Sequence, residues 1–249
     1  YQQYTEEKTI MNETQIKTKQ KSSTSPVIYM TLTALLAAVT AACSWISVPL
    51  PFTPVPINLA TLAVFLAGGL LGAKYGSISI IIYVLLGAIG VPVFHSFTGG
   101  IGIITGPTGG YIIGYIPATL FTGLVSDSVF RIAKQRSETE NPVEKTAEAK
   151  SGTPDRISYH DTSGHASNAP DKNKKEAVRY FILEFGMIVG LALCYTLGTA
   201  WYMHISGIGL AAALLTCVIP FLIGDALKIT AAVILVKKLR PFIPCRHTR

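Results

Sequence analysis

Two long stretches of this chain, residues 27–130 and 180–236, are almost free of charge. They contain only two of the 21 Lys and Arg residues and three of the 14 Asp and Glu residues. Charged residues make up 14% of the chain, whereas soluble domains carry about a quarter. A helix needs about 20 apolar residues to cross a bilayer. The two stretches therefore predict an all-α membrane protein that crosses the bilayer several times.

Proline and polar residues divide the two stretches into six candidate spans. The proline-rich run at 49–56 ends the first span, because proline lacks a backbone donor and restricts the residue before it. An apolar stretch at 211–217 is too short to cross. The predicted spans are 27–48, 57–72, 75–94, 110–130, 178–203 and 218–236. The predicted fold class is a six-transmembrane-helix bundle.

Positive charge alternates between the hydrophilic segments that separate these spans. From the N-terminus onward, the segments carry four, zero, one, zero, ten, zero and five Lys or Arg residues. Loops rich in Lys and Arg stay on the cytoplasmic side of a membrane. The alternation predicts that both termini are cytoplasmic, and a count of five or seven spans would break it.

The remaining segments are polar. Residues 1–26 are predicted to form a cytoplasmic tail, which lacks the apolar core of a signal peptide, and residues 240–249 a basic cytoplasmic tail. Segment 132–176 separates the first four spans (27–131) from the last two (177–239) and is rich in Ser, Thr, Asn, Lys and Glu. Such a sequence cannot bury enough apolar surface to order itself, so a disordered cytoplasmic linker is predicted there.

The sequence argues against several functional classes. All but two of its basic residues lie in or next to the tails and the linker, whereas nucleic-acid binding needs them on a folded face. No Walker motif is present, and the cysteines and histidines lack the spacing of a metal site. No Ser–His–Asp, Cys–His or HExxH arrangement is found. We therefore expect a protein that is not an enzyme, with no catalytic residue, no bound metal and no cofactor.

Asp225 and Lys228 are unusual because a charge at a helix centre costs about 2.5–3.5 kcal/mol. They would lie about 10 and 15 Å from the outer end of the sixth span, at 1.5 Å per residue. Their spacing of three places them on one face. The two side chains could form a salt bridge that only neutralises itself, or they could bind a ligand in a cavity open to the outside. We favour ligand binding, since apolar residues would suit a purely structural position better.

The loop at 94–110 contains six glycines. Glycine lets the backbone approach a ligand closely, which makes this loop a candidate for ligand contacts. A compact turn that joins two spans is the alternative. The loop has neither a Walker spacing nor a Lys, so a nucleotide site is not expected.

The first span carries Ala34, Ala38 and Ala42 along one stripe. Small residues at this spacing let another helix approach closely within a membrane. The stripe therefore predicts contact with a partner protein, and packing within this chain is the alternative.

Four runs of the sequence together resemble one family of transport proteins. They are PVPINLATLAVFLAGGLLG at 54–72, LLGAIGVPVF at 85–94, GGIG at 99–102 with GPTGGY at 106–111, and PFLIGDALK at 220–228. In this order they are similar to the BioY family, the biotin-specific substrate-binding (S) components of energy-coupling factor (ECF) transporters. The resemblance extends from about residue 31 to 239, apart from the linker. It implies a six-helix bundle that binds biotin near the extracellular side, under the first outer loop.

The resemblance also implies roles for individual residues. Asp225 would meet the ureido ring of biotin, and Lys228 its valerate carboxylate. Ala60 stands where the family often has Gln, and Asn58 is the candidate to replace that polar contact. The further candidates for ligand binding are Tyr83, Thr98, Gly99, Gly100 and Tyr111.

Finally, the resemblance implies partners in the plasma membrane. These are a transmembrane coupling (T) subunit and two cytoplasmic ATPase subunits that hydrolyse ATP, with the alanine stripe docking on the coupling subunit. The expected function is biotin uptake as the S component of an ECF-type ABC transporter. An S component for another small vitamin such as thiamine, or a standalone membrane transporter, are the alternatives.

Overall fold

The computed structural model describes the backbone of residues 27–51, 53–140 and 169–243. These residues form mostly α-helices, with one short β-hairpin. The elements are α1 (Val27–Trp45), β1 (Ser47–Leu50), β2 (Thr53–Asn58), α2 (Ala60–Ala88), α3 (Ile101–Thr105), α4 (Gly109–Glu140), α5 (Ala169–Ser206), α6 (Leu210–Cys217) and α7 (Leu222–Leu239). Three 3₁₀ turns lie at His95–Phe97, Ile219–Phe221 and Arg240–Phe242.

Within the described residues, five helical stretches are long and apolar enough to cross a membrane. They are Val27–Trp45, Ala60–Ala88, Gly109–Arg131, Glu176–Ser206 and Leu210–Phe242. Large apolar side chains point outward from them, such as Phe181, Ile223 and Leu227, which are 71%, 79% and 69% exposed. Exposed apolar surface of this kind suits contact with lipid. The predicted all-α membrane bundle is thus confirmed in its helical character. Most of the second and third predicted spans lies in the single element α2.

Helix α2 is interrupted at Gly72, where φ is 75° and ψ is −173°. A Cβ atom on Gly76 would lie 2.6 Å from the carbonyl oxygen of Ala67. In a straight helix these two residues would be about 13 Å apart, so the two halves of α2 fold back against each other. The backbone N–H of Ala73 donates to Oδ2 of Asp127 at 3.1 Å, which caps the start of the second half.

The proline-rich segment, predicted to be an outer loop between the first two spans, forms an antiparallel hairpin. Strand β1 pairs with β2 through Ser47 opposite Asn58 and Val48 opposite Ile57, with an irregularity before Leu50. Prolines are tolerated because both strands of a two-stranded sheet are edges. The first helix consequently ends at Trp45, earlier than predicted, and α2 begins later than predicted.

Helix α4 packs between α2 and α5, and α7 closes the bundle against α2. The close approach of α4 to α2 depends on Gly123, since a Cβ there would lie 2.4 Å from the backbone nitrogen of Ala73. Two apolar cores result. One surrounds Tyr83 and Phe94 near the hairpin, and the other surrounds Met187 and Val236 between α2, α5 and α7.

Three further predicted boundaries differ from the structure. Helix α4 continues to Glu140 and α5 begins at Ala169, so both helices extend into the predicted linker. The rest of the linker, residues 141–168, lies outside the described part of the chain. The predicted tails lie outside it as well, up to residue 26 and from residue 244. The last long helix begins at Leu222, later than predicted. Asp225 therefore lies in its first turn, not two turns into a helix.

Candidate ligand-binding site

A cavity lies where the hairpin meets the starts of α2, α4 and α7. Its walls come from β2, α2, the turn at 95–97, α4, α5, α6 and α7. The lining residues are Val55, Pro56, Asn58, Thr61, His95, Thr108, Tyr111, Ile112, Tyr115, Leu191, Cys194, Tyr195, Cys217, Phe221, Asp225 and Lys228. The walls are thus largely apolar, with one acidic and one basic side chain, which is the usual composition of a small-molecule site.

Asp225 is the centre of a polar cluster in this cavity. Its side chain is buried, and Lys228 donates from Nζ to Oδ1 at 2.8 Å. Thr61 donates to the same oxygen at 3.3 Å, and the Tyr195 hydroxyl donates to Oδ2. The cluster links α2, α5 and α7. A carboxylate in the first turn of a helix is also favoured by the helix dipole.

The salt bridge considered from sequence is therefore present, and its two members also line the cavity. The side chains of Lys228 and Asp225 are 11% and 4% exposed. Burying such a pair contributes little net stability, since desolvation offsets the attraction. On the cavity wall, the pair places an anionic acceptor, Asp225, next to a cationic donor, Lys228.

Four of the eight predicted ligand residues line the cavity, namely Asp225, Lys228, Asn58 and Tyr111. Asn58 accepts the backbone N–H of Ala60 through Oδ1 at 3.1 Å, which fixes the side-chain amide at the start of α2. The Tyr111 hydroxyl is 3.2 Å from Oγ1 of Thr199, and its ring packs edge-to-face on that of Tyr195.

The other four predicted ligand residues, Tyr83, Thr98, Gly99 and Gly100, are not among the residues that line the cavity. Tyr83 is 1% exposed and donates to Oγ of Ser44 at 3.1 Å. Its ring packs edge-to-face on Phe94, with centroids 5.5 Å apart. Burial in the apolar core, away from the cavity surface, explains why its hydroxyl does not reach the lining.

Thr98, Gly99 and Gly100 shape the loop that carries His95. Thr98 donates from Oγ1 to the carbonyl oxygen of His95 at 2.7 Å. A Cβ on Gly99 would lie 2.4 Å from the carbonyl oxygen of Val91, so the backbones pass each other closely there. Gly100 has a φ of 100°, and its backbone N–H donates to the carbonyl oxygen of Gly87, near the end of α2, at 2.7 Å. The close approach of backbone expected for these glycines is thus made to the protein's own chain.

Sequence reasoning did not identify Thr61 or Tyr195 as site residues, and it assigned no ligand-binding role to His95. Thr61 lies inside the run at 54–72, but only the position of α2 against α7 brings it to Asp225. His95 lines the cavity, and its buried Nε2 has no hydrogen-bond partner in the described part of the chain. Burial lowers the pKa of the His95 imidazole below its ordinary value.

The alanine stripe lies on the outer surface of α1. Ala34, Ala38 and Ala42 are all exposed, whereas Ala37 and Ala41 face the bundle and are buried. The predicted partner stripe is therefore accessible to another helix. Within the described residues, no group of three or more His, Cys, Asp or Glu side chains is placed to hold a metal ion.

Comparison with known proteins places the chain in a family. The BioY family model matches residues 13–244. A "probable biotin transporter BioY" from Pyrococcus horikoshii is 32% identical over 211 residues, which are 85% of this chain and 95% of that protein. A "biotin transporter BioY" from Rhizobium etli is 29% identical over 221 residues, covering 87% and 97%.

A solved structure agrees with these relatives. The crystal structure of the S-component for biotin from an ECF-type ABC transporter superposes with a TM-score of 0.62 at 25% identity. The match covers 88% of this chain and 94% of that one. The family expected from the sequence motifs is confirmed, and this chain belongs to the BioY family.

Proposed function

We propose that this chain binds biotin in the cavity around Asp225 and serves as the S component of an ECF-type ABC transporter. The relatives that match nearly the whole chain are biotin transporters, and the similar solved structure is an S-component for biotin. The observation that carries the proposal is the largely buried Asp225–Lys228 pair on the wall of a mostly apolar cavity. The proposal assigns no catalytic step to this chain, and ATP hydrolysis belongs to partner subunits.

The chemistry of biotin suits such a cavity. Its fused rings and aliphatic chain are apolar and match walls formed by residues such as Val55, Leu191 and Phe221. Its ureido group carries N–H donors beside a carbonyl acceptor. These complement the anionic acceptor and cationic donor that Asp225 and Lys228 present side by side.

Equilibrium binding of labelled biotin to the purified chain in detergent tests this function. Wild type should retain biotin in preference to thiamine. Asp225→Asn should lower the affinity about tenfold to 100-fold, because hydrogen bonds to a charged group are lost. Glu184→Gln makes the same chemical change on α5 outside the cavity lining and should bind like wild type. A wild-type chain that retains no biotin would refute the proposed function.

We further propose that the protein lies in the plasma membrane and crosses it six times. Both termini would then be in the cytoplasm. The folded-back halves of α2 support this count, because the chain reverses direction at Gly72, between the second and third predicted spans. Lys74 lies directly after the break at Gly72, as expected for a short cytoplasmic turn.

Labelling of intact cells with a membrane-impermeant maleimide tests this topology. The four native cysteines are first replaced by serine, and Cys is introduced at Lys74 or at Ser96. Ser96→Cys should react from outside, and Lys74→Cys should react only after the cells are opened. Reaction of both positions from the same side would rule out the six-span arrangement.

We also propose that the exposed stripe of Ala34, Ala38 and Ala42 docks on a transmembrane coupling subunit, which joins the chain to two ATPase subunits. Its exposure and small side chains support close helix contact. Ala38→Trp should abolish co-purification with the coupling subunit and spare biotin binding. Ile188→Trp, on an exposed position of α5, is the matched control and should co-purify normally. Normal co-purification of both variants would place the interface elsewhere.

A further inference from the structure

The Asp225–Lys228 pair occupies a single place in the cavity. The two charged groups are in direct contact, with Nζ and Oδ1 2.8 Å apart. In biotin, the ureido group and the carboxylate are separated by the fused rings and the whole valerate chain. One compact ion pair cannot hold both ends of an extended biotin molecule, so the second end needs a polar contact elsewhere.

The pair is better suited to the ureido end. A ureido group offers donors to the Asp225 carboxylate and an acceptor to the Lys228 ammonium. A carboxylate offers acceptors only, so it would gain from Lys228 and be repelled by Asp225 at the same place. This changes the sequence prediction, in which Lys228 was expected to pair with the valerate carboxylate.

His95 provides an unused polar group in the same cavity. Three buried side-chain polar atoms in the described part of the chain have no hydrogen-bond partner, and they belong to Ser77, His95 and Thr122. Of these residues, His95 is the one that lines the cavity. A buried polar atom without a partner costs about 1–3 kcal/mol, which a ligand can recover by bonding to it.

The turn that carries His95 is strained and packs against the end of α1. Ser96 and Phe97 have φ values of 54° and 57°, a left-handed conformation that non-glycine residues adopt at a cost. Phe97 is stacked on Trp45, with ring centroids 4.9 Å apart, and the Trp45 indole donates to the carbonyl oxygen of Pro92 at 2.9 Å. These contacts keep a strained turn in one conformation, and strain of this kind is typical of functional sites.

The surroundings also favour a negatively charged group. Thr108 lines the cavity and directly precedes α4, a helix of 32 residues. The N-terminal end of a helix carries partial positive charge and favours anions. Burial lowers the pKa of the His95 imidazole and so favours its neutral form, which has one N–H to donate.

We propose that His95 is a second ligand anchor whose Nε2–H donates to the carboxylate of bound biotin, while the Asp225–Lys228 pair holds the ureido ring. The inference rests on the proposed function, because it names which side chain meets which end of the same ligand. It assigns a binding role to a residue that the sequence motifs left out.

The test compares free biotin with biotinamide, in which the carboxylate is replaced by a neutral amide. His95→Ala should weaken binding of free biotin about tenfold or more, since a charge-assisted hydrogen bond is lost, and binding of biotinamide about threefold. His95→Gln, whose amide N–H can reach a similar position, should restore part of the affinity for free biotin. Lys228→Ala should weaken both ligands by the same factor.

His204→Ala is the matched control, because it removes an exposed imidazole outside the cavity lining, and it should bind both ligands like wild type. Thermal unfolding in detergent shows whether each variant folds. Wild-type affinity of His95→Ala for free biotin would overturn the inference, as would equal losses for the two ligands without rescue by His95→Gln. If Lys228→Ala lost affinity for free biotin but not for biotinamide, the carboxylate of biotin would be assigned to Lys228 instead. None of these results would change the proposed function, which fails only if wild type does not bind biotin.

Discussion

The two ends of the bundle use buried polar groups in different ways. At the Gly72 end, Arg240 donates from Nη1 to the carbonyl oxygen of Gly69 at 2.8 Å and to Oγ of Ser126 at 3.0 Å. Its guanidinium also lies 3.2 Å from the ring centroid of Phe130. The cation thus caps backbone next to the break in α2 and packs against an aromatic ring.

At the cavity end, the buried charges face a space that a ligand can enter. Asp225 and Lys228 bond to each other and line the cavity, and the Nε2 atom of His95 lacks a partner among the described residues. Polar groups that bond to backbone stabilise the fold, whereas polar groups on a cavity wall are available for binding. The comparison predicts that substitutions at the Gly72 end change stability, and that those at the cavity end change affinity.

Gly72→Ala should have the largest effect. The φ of 75° with ψ near 180° is a conformation that only glycine adopts readily, and an added Cβ would lie 2.2 Å from Oδ1 of Asp127. We expect a loss of about 3 kcal/mol in the free energy of unfolding. Unfolding of the purified variant in detergent, followed by circular dichroism, measures this loss.

Gly102→Ala is the matched control, because a Cβ at Gly102 meets nothing within 4 Å. It should unfold like wild type. If both alanine variants had wild-type stability, the break in α2 would not be a structural requirement, and the contrast between the two ends would lose its main support.

Arg240→Met should have an intermediate effect on stability. Methionine keeps part of the apolar packing on Phe130 but removes the donors to Gly69 and Ser126, at a cost of about 2 kcal/mol. Biotin affinity of the folded variant should stay within about twofold of wild type. Lys238→Met removes an exposed positive charge nearby and should change neither quantity. A loss of biotin affinity in Arg240→Met at wild-type stability would contradict the assignment.

The sequence was sufficient to predict those features that depend on local chemistry. Asp225 and Lys228 could be identified because charge is costly in an apolar segment, and the reversal near Lys74 could be placed by its positive charge. Partners in tertiary structure could not be identified in this way. Tyr195 and Thr61 reach Asp225 only through the rotation and packing of α5 and α2, which a single sequence does not encode in any short motif.

The smallest effect is expected for Tyr195→Phe, which removes one hydroxyl from the cavity cluster. The Tyr195 hydroxyl holds Oδ2 of Asp225, so its loss frees the carboxylate to rotate and should lower biotin affinity about fivefold, equivalent to one ordinary hydrogen bond. Tyr83→Phe removes a comparable bond to Ser44 outside the cavity lining. It should reduce stability by about 1 kcal/mol and leave biotin affinity unchanged.

This pair of variants separates the effect of position from that of chemistry, because both changes delete a single hydrogen-bonded tyrosine hydroxyl. Isothermal titration with biotin and thermal unfolding of each variant give the two quantities. If Tyr83→Phe lowered biotin affinity as much as Tyr195→Phe, hydroxyls in the core and on the cavity wall would be equivalent for binding. Tyr83 would then be a ligand-binding residue, as predicted from the sequence. The binding site would in that case extend from the cavity into the apolar core around Tyr83.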